Sequence, residues 1–475
     1  MIRSVKCCML LLLYVVGAGA RAQSWSPVGV PDFTGIYARY QSVAIDGSGT
    51  PYVAFSDNSY GAKATVMKFS GGSWVTVGTP GFSADTATNT SIAIDGSGTP
   101  YVAYTDYANG QKASVMKYNG SAWVAVGSAG FSAGAAGGYH WITIDAGGNP
   151  WVAYADGGNA NKATVMKYSS GAWAPVGSAG FTDSTAGSVC IALDAGGTPF
   201  VSFADAGHSF VSSFFLTGFG TAVQMGPGTT VMKYSGGSWV VVGAAGFSGE
   251  CVSSPCLAID ASDNPYVAYT GFSEEDKVSV QKYNGTSWEL VGSAGFSADT
   301  AIFVSLVIDG SGTPWVAYDD EGWSTTVPGV TVKKFTGGSW ATVGSSDFSP
   351  GLGLYVDLAL NTADTPYVVF SDQSDGGRTT VMSFGAATGT KNIDAPSSDL
   401  RIFPDPCNGT FTLRISSLQN EDVPVTIVNM LGEKVKEFTA PANADIALRL
   451  DLAPGVYNLS ALTSGGLLNT KVVVE

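Results

Sequence analysis

A tryptophan followed by Val-Gly and then Gly-Phe-Ser returns about every fifty residues along most of this chain, at Trp25, Trp74, Trp123, Trp173, Trp239, Trp288 and Trp340. Between successive copies runs one script, clearest over residues 91–123: Ser-Ile-Ala-Ile-Asp, Gly-Ser-Gly-Thr-Pro, Tyr-Val-Ala-Tyr-Thr-Asp, a polar loop, Ala-Ser-Val-Met-Lys-Tyr, Asn-Gly and Ser-Ala-Trp. A repeat of this length that carries several short strands belongs to a propeller, a solenoid or an array. Each unit holds four candidate strands bounded by Gly, Pro, Asn and Ser clusters, in the second unit at 91–95, 101–106, 114–118 and 122–127. The links between first and second and between third and fourth strands are hairpin signals, so each unit predicts a four-stranded antiparallel meander.

Seven second strands can be counted, beginning at Tyr52, Tyr101, Trp151, Phe200, Tyr266, Trp315 and Tyr367. The seventh unit ends at Phe384 with no Trp strand after it, while one spare Trp strand stands at 24–29. Placed outside the last unit, that N-terminal strand closes a ring and leaves no sheet edge at the seam. The expectation is an all-β chain whose residues 23–384 form a seven-bladed β-propeller; an open solenoid gains nothing from such a detached strand. The repeated Trp reads as packing between blades.

At 475 residues, 45% hydrophobic, 13% charged and with 62 glycines, the balance is that of a turn-rich β protein. A formal charge of −15 argues against nucleic acid and anionic lipid as partners. Arg3 and Lys6, an apolar stretch over 7–19 and Ala20-Arg21-Ala22 read as a signal peptide, residues 1–22, cut between Ala22 and Gln23. That stretch is too short to span a bilayer, and no later segment reads as transmembrane. Of the four later cysteines, Cys251 and Cys256 are near in sequence, in a Gly/Ser/Pro loop, and are the candidate disulfide of an oxidising compartment. With only His140 and His208 to add, no zinc site, no other metal and no cofactor is expected.

On a four-stranded blade the links between second and third strands, and between fourth and next first, share one face. That face carries the variation, with expanded loops at 206–228 and 321–329, and function on a repeat scaffold tends to live in such loops. Two sets of residues project there. One ends the second strand (Asp57, Asp106, Asp156, Asp205, Asp320 and Asp372, with Gly271 in its place in the fifth unit), and in five units a cation follows six residues later, at Lys63, Lys112, Lys162, Lys277 and Arg378; it reads as loop bracing by hydrogen bonds and solvated ion pairs. The other precedes the first strand at the mouth of the central channel: Tyr40, Asn89, Tyr139, Ser188, Ser254, Phe303 and Tyr355, with Arg39, His140 and Trp141 beside them. Aromatics next to polar donors suit sugar faces or a protein anchor, so Arg39, Tyr40, Tyr139, His140, Trp141, Phe303 and Tyr355 are the candidate ligand-binding residues. Structural filling of the channel mouth is the competing reading.

His140, His208, Asp156 and Asp205 share the variable face, but no nucleophile is positioned beside them and no catalytic residue is assigned. The turns such as Asp95-Gly96-Ser97-Gly98-Thr99 resemble the Asp-box of sialidase-type propellers, which implies a turn; sialidases use three arginines, and this ring has Arg39 and Arg378. The Trp-x-x-Val-Gly units are similar to those of tectonin-type lectin propellers.

After a Gly/Ala/Thr/Ser linker at 385–399, residues 400–475 carry Leu400-Arg401-Ile402-Phe403-Pro404-Asp405-Pro406, Gly409-Thr410-Phe411-Thr412-Leu413, Val425 to Val435 around Met430-Leu431-Gly432, Leu452-Ala453-Pro454-Gly455-Val456-Tyr457 and Lys471-Val472-Val473-Val474-Glu475. Alone, these strands predict a small Ig-like antiparallel sandwich. Their order resembles the C-terminal sorting domain of the bacterial type IX secretion system, with Phe-Pro-Asp-Pro where the common form has Tyr-Pro-Asn-Pro. The resemblance implies a Bacteroidetes-type bacterium, Sec export through the periplasm, a secretion machinery as partner and a secreted or surface-attached product. The chain is therefore expected to be a non-enzymatic binder of carbohydrate or protein. A polysaccharide hydrolase or lyase and a purely adhesive surface protein are the alternatives.

Overall fold

The computed structural model describes residues 23–216, 220–321 and 328–386, and in the C-terminal part 399–403, 407, 409–416, 421–429, 434–449, 453–463 and 466–474. The leader 1–22, residues 322–327 of the sixth loop and all but the ends of the linker lie outside them. The chain divides into two units at residues 386 and 387.

The first unit is built of seven four-stranded antiparallel sheets, each pairing its strands in chain order. The innermost strands are Ala38–Ile45, Ala87–Ile94, Ala136–Ile144, Ala186–Leu193, Val252–Ile259, Ala301–Ile308 and Gly353–Leu360. Each lies against the next, and the last lies against the first. The seventh sheet takes its outermost strand from the other end of the chain: Gln23–Pro27 pairs with Arg378–Ala386, Trp25 opposite Phe384. Second strands such as Pro100–Asp106 are buried from end to end, as a strand covered on both faces must be, which is why they read as unbroken apolar runs.

The tryptophans join sheet to sheet. The indole N–H of Trp74, Trp123, Trp173, Trp239, Trp288 and Trp340 donates at 2.6–2.8 Å to the carbonyl of Val28, Val77, Val126, Val176, Val242 and Val291 on the preceding sheet. Trp25 closes the cycle on Val343 at 2.7 Å. Each indole also stacks on the Phe of the preceding Gly-Phe-Ser or its equivalent, from Phe33 on Trp74 (4.4 Å between ring centroids) to Phe348 on Trp25 (4.2 Å). The glycine after Val is fixed by this contact. Gly78 sits at φ 72°, and a Cβ there would lie 2.8 Å from the Tyr118 ring and 3.2 Å from Trp123.

The aspartates are structural. Asp46 accepts the amides of Ser48 and Thr50 at 2.9 Å and tightens the turn into the second strand; Asp95 repeats this. Asp57, Asp106, Asp156 and Asp372 cap short 3₁₀ turns after that strand by accepting the amide two residues on. Among the described residues the cations six positions later do not pair with those caps; Lys277 and Arg378 meet Glu275 and Asp375 instead.

Two expectations are corrected. The 206–228 expansion is a β-ribbon that prolongs the second and third strands of the fourth sheet to Pro199–Leu216 and Gly220–Ser235, with a bulge after Asp205. Cys251 and Cys256 are not bridged. Cys251, just ahead of the strand Val252–Ile259, donates to the Phe210 carbonyl at 2.9 Å, while Cys256, beyond the bulge, packs in the ring core.

The second unit is two sheets, one of Asp399–Phe403, Thr410–Ser416 and Asp445–Arg449, the other of Lys434–Pro441, Asp422–Val428, Gly455–Thr463 and Gly466–Val474. Alternate residues of both, including Phe411, Leu413, Val425, Ile427, Leu459 and Val472, form one core.

Candidate functional site

Every innermost strand breaks register against its neighbour at the same height, between Arg39 and Ser42, Thr88 and Ser91, Gly137 and Trp141, Gly187 and Cys190, Ser253 and Cys256, Ile302 and Ser305, and Leu354 and Asp357. The first bulged residue is left-handed in all seven. Six are not glycine: Tyr40 (φ 56°), Asn89 (52°), Ser188 (46°), Ser254 (46°), Phe303 (52°) and Tyr355 (56°). In the third sheet the bulge is one residue longer and Gly138 (φ 69°) takes that conformation, so Tyr139 and His140 follow it. The seven bulges ring a central cavity of about 90 Å³. Bulges are a common device for re-aiming side chains at a site.

On one side of the cavity three half-buried aromatics from adjacent sheets form an arc. Tyr355 stands between Tyr40 and Phe303, 5.0 Å from each by ring centroid and tilted by about 50° to both. Burial pushes the Tyr355 phenol up, with Tyr40 adding to the rise and the nearby Arg39 opposing it. Arg39 is exposed, its guanidinium 4.7 Å over the Tyr37 ring. On the other side Trp141 lines the cavity, and Asn89 donates to the Thr105 hydroxyl (3.2 Å), which meets His140 Nε2 at 2.6 Å. Burial lowers the His140 pKa to about 4, and among the described residues its Nδ1 has no partner. His140 is thus a neutral wall residue rather than a free acid or base. The Tyr139 side chain lies outside the description.

Beneath the bulges runs a second ring of equivalent positions: Ser42, Ser91, Trp141, Cys190, Cys256, Ser305 and Asp357. Four of the side chains accept the next sheet's amide, Ser42 from Ile92 (3.3 Å), Ser91 from Ile142 (3.3 Å), Cys190 from Leu257 (3.4 Å) and Ser305 from Leu358 (3.1 Å). Asp357 completes the seam by accepting the Val43 amide (2.9 Å) and the hydroxyls of Ser42 (3.1 Å) and Ser305 (2.9 Å). Burial raises its pKa despite these donors. Sequence reasoning passed over this floor; the signal was a lone Asp where the other units place Ser, Cys or Trp.

Of the pairs drawn for catalysis, only Asp205 and His208 meet, Nδ1 to carboxylate at 2.9 Å. Burial works against the Asp205 carboxylate, but hydrogen bonds from Thr230, Ser184, His208 and Gly207 bring its pKa down. Ser184 is bonded to Asp205 (2.9 Å), not to the imidazole. Among the described residues nothing is bonded to His208 Nε2, and no cluster of three or more His, Cys, Asp or Glu has metal-site geometry.

The ring of sheets defines a β-propeller, joined to a secretion module. Residues 401–475 match the family model of the secretion system C-terminal sorting domain, which indicates export to the cell surface or beyond. No helix among the described residues is long and apolar enough to cross a membrane. No curated protein matches the chain. Similar solved structures include a polysaccharide lyase, an ulvan lyase bound to -[GlcA(1-4)Rha3S]-, with 12% identity over 75% of this chain and 95% of that one at TM-score 0.49. A mutant of the Aleuria aurantia lectin in complex with Fucalpha1-6GlcNAc has 15% identity over 68% and 100% at TM-score 0.40. A Dyadobacter fermentans protein of unknown function has 10% identity over 77% and 99% at TM-score 0.42.

Proposed function

We propose that residues 23–384 are a seven-bladed propeller that binds a carbohydrate in its central cavity without chemistry, displayed or secreted through the type IX system by its Ig-like sorting domain. A signal peptide at 1–22 starts that route. The observation that carries the reading is the arc of Phe303, Tyr355 and Tyr40 at the cavity rim. Half-buried rings beside hydroxyls and Arg39 offer an apolar platform with polar edges, the usual composition of a small-ligand site. Arg39 and Tyr139 are proposed to contribute from the same bulges, with Trp141 on the floor and His140 in the wall.

The Asp205–His208 pair supports a second reading, a polysaccharide-cleaving enzyme, because a carboxylate that orients an imidazole is half of an acid–base device. The mature chain, 23–475, applied to a glycan array distinguishes the two. Retention of intact glycan upholds the first reading. New reducing or unsaturated ends among bound glycans, lost on His208→Ala, put the second in its place. Absence of binding to any glycan sinks both and leaves an adhesive or protein-binding role.

A further inference from the structure

The floor ring changes chemistry at one junction. Between the fourth and fifth sheets the equivalent positions are Cys190 and Cys256, both buried at 1% and 4% exposure. The Cys190 sulfur lies against the residue that follows Cys256, 3.4 Å from the Leu257 amide and 3.9 Å from its carbonyl. Cys256 is close enough to help push the Cys190 thiol up. At this height side chains of adjacent sheets reach one another directly, as Ser42 and Ser305 reach Asp357 at 3.1 and 2.9 Å. Two cysteines at equivalent floor positions of adjacent sheets, one with its sulfur against the residue next to the other, are near enough for the reach a disulfide needs.

We propose that Cys190 and Cys256 are a disulfide-forming pair which, on export, covalently staples the fourth sheet to the fifth beneath the central cavity. The compartment in this statement rests on the export reading above. The bond forms between the two sulfurs as both thiol protons and two electrons leave to a disulfide-carrying oxidoreductase, whose own disulfide becomes a dithiol. Burial pushes the Cys190 thiol well above its ordinary range, so the attacking thiolate is scarce once the sheets are closed. Oxidation therefore belongs to the chain while it assembles. The link closes a long loop, the case in which a cross-link restricts the unfolded chain most.

The test counts thiols in mature 23–475, which has four cysteines. Protein recovered from the periplasm or medium is alkylated after denaturation without reductant and weighed, and its peptides are mapped. Two alkylated thiols, Cys251 and Cys407, with one cross-linked peptide joining the segments of Cys190 and Cys256, are expected. In Cys256→Ser a third thiol, Cys190, becomes labelled. Reductant lowers the thermal midpoint of the parent protein but not that of the Cys190→Ser/Cys256→Ser variant. A second arm refolds reduced protein in a glutathione redox buffer. A link there but not in the recovered protein upholds the pairing and removes the export reading. Four alkylated thiols in both arms, or a link to Cys251 or Cys407, overturns the proposal.

Discussion

Asp319 should make this protein less stable as pH rises through neutrality, and removing its charge should abolish that loss. It lies on the second strand of the sixth sheet, Pro314–Asp320, where the other six sheets carry Ser56, Thr105, Ala155, Ala204, Thr270 and Ser371. It is 0% exposed; one carboxylate oxygen accepts the Gly353 amide at 2.8 Å, and the other has no partner among the described residues. Burial, helped by the charges of Glu321, Asp320 and Asp347, lifts its pKa from 3.8 to about 7. The folded state thus holds the proton more tightly than the unfolded chain, so the stability this gives is complete below pH 3.8 and is lost as pH climbs through 7. At about 1.4 kcal/mol per pH unit that interval is worth roughly 4 kcal/mol. Asp319→Asn keeps an acceptor for Gly353 and cannot ionise. Between pH 5 and pH 8.5 only the two units from 5 to 7 are crossed, so urea unfolding should show the variant gaining on the parent by about 3 kcal/mol at the higher pH. Asp320, whose pKa burial and Asp347 raise to about 6, titrates in both proteins and largely cancels. An unchanged difference between parent and variant at the two pH values would refute the reasoning. A difference of opposite sign would mean that Asp319 is ionised and paired.

Trp25→Phe keeps the stacking on Phe348 but leaves the Val343 carbonyl without its donor; about 1–3 kcal/mol lower stability is expected in urea unfolding. Deleting residues 23–27 bares Arg378–Ala386 as an open edge and should produce concentration-dependent aggregates, absent from the parent, by light scattering. Asp357→Ala takes from the Val43 amide and the Ser42 and Ser305 hydroxyls their shared acceptor in the floor ring, while Leu358 keeps Ser305, at about 1–3 kcal/mol for the buried amide left unpaired; hydrogen exchange should quicken first in Ala38–Ile45.

The sheets were legible because their causes are local and repeated. Apolar runs such as Pro-Tyr-Val-Ala-Tyr, hairpin signals such as Asn119-Gly120 and the count of Trp strands all point one way, and the pairing of Gln23–Pro27 with Arg378–Ala386 follows from one strand missing and one spare. The bulges were not legible. Nothing in Arg39-Tyr40-Gln41 marks Tyr40 as left-handed, since bulky residues avoid that region and it is adopted here only because the ring demands it. The rim residues could be named without their conformation, whereas the floor could not, because contacts such as Ser305 to Asp357 depend on how adjacent sheets are set against each other. The pairing of Cys251 with Cys256 failed for a related reason: the setting of adjacent sheets turns Cys251 to the Phe210 carbonyl and brings Cys190, far away in sequence, against Leu257 beside Cys256.

A left-handed residue other than Gly or Asn costs of the order of 1 kcal/mol. Ring closure alone would be served by the residues the chain itself uses in the third and second sheets, Gly138 and Asn89, both at ease there. Three adjacent sheets, the sixth, seventh and first, instead hold Phe303, Tyr355 and Tyr40 in that conformation. Either these rings fill the channel mouth or they face a ligand, and the two roles respond differently to one substitution. Tyr40→Asn copies the second sheet's residue and relieves the strain. If the ring serves a ligand, stability should stay within about 1 kcal/mol, because strain relief offsets the lost stacking on Tyr355, and glycan retention should fall by tenfold or more. If it is filler, the variant should lose about 3 kcal/mol or more, as truncation of a large core aromatic does, and retention should fall only as far as folding does. Measured together, urea midpoint and retention decide between a rim that is strained for packing and one that is strained for binding.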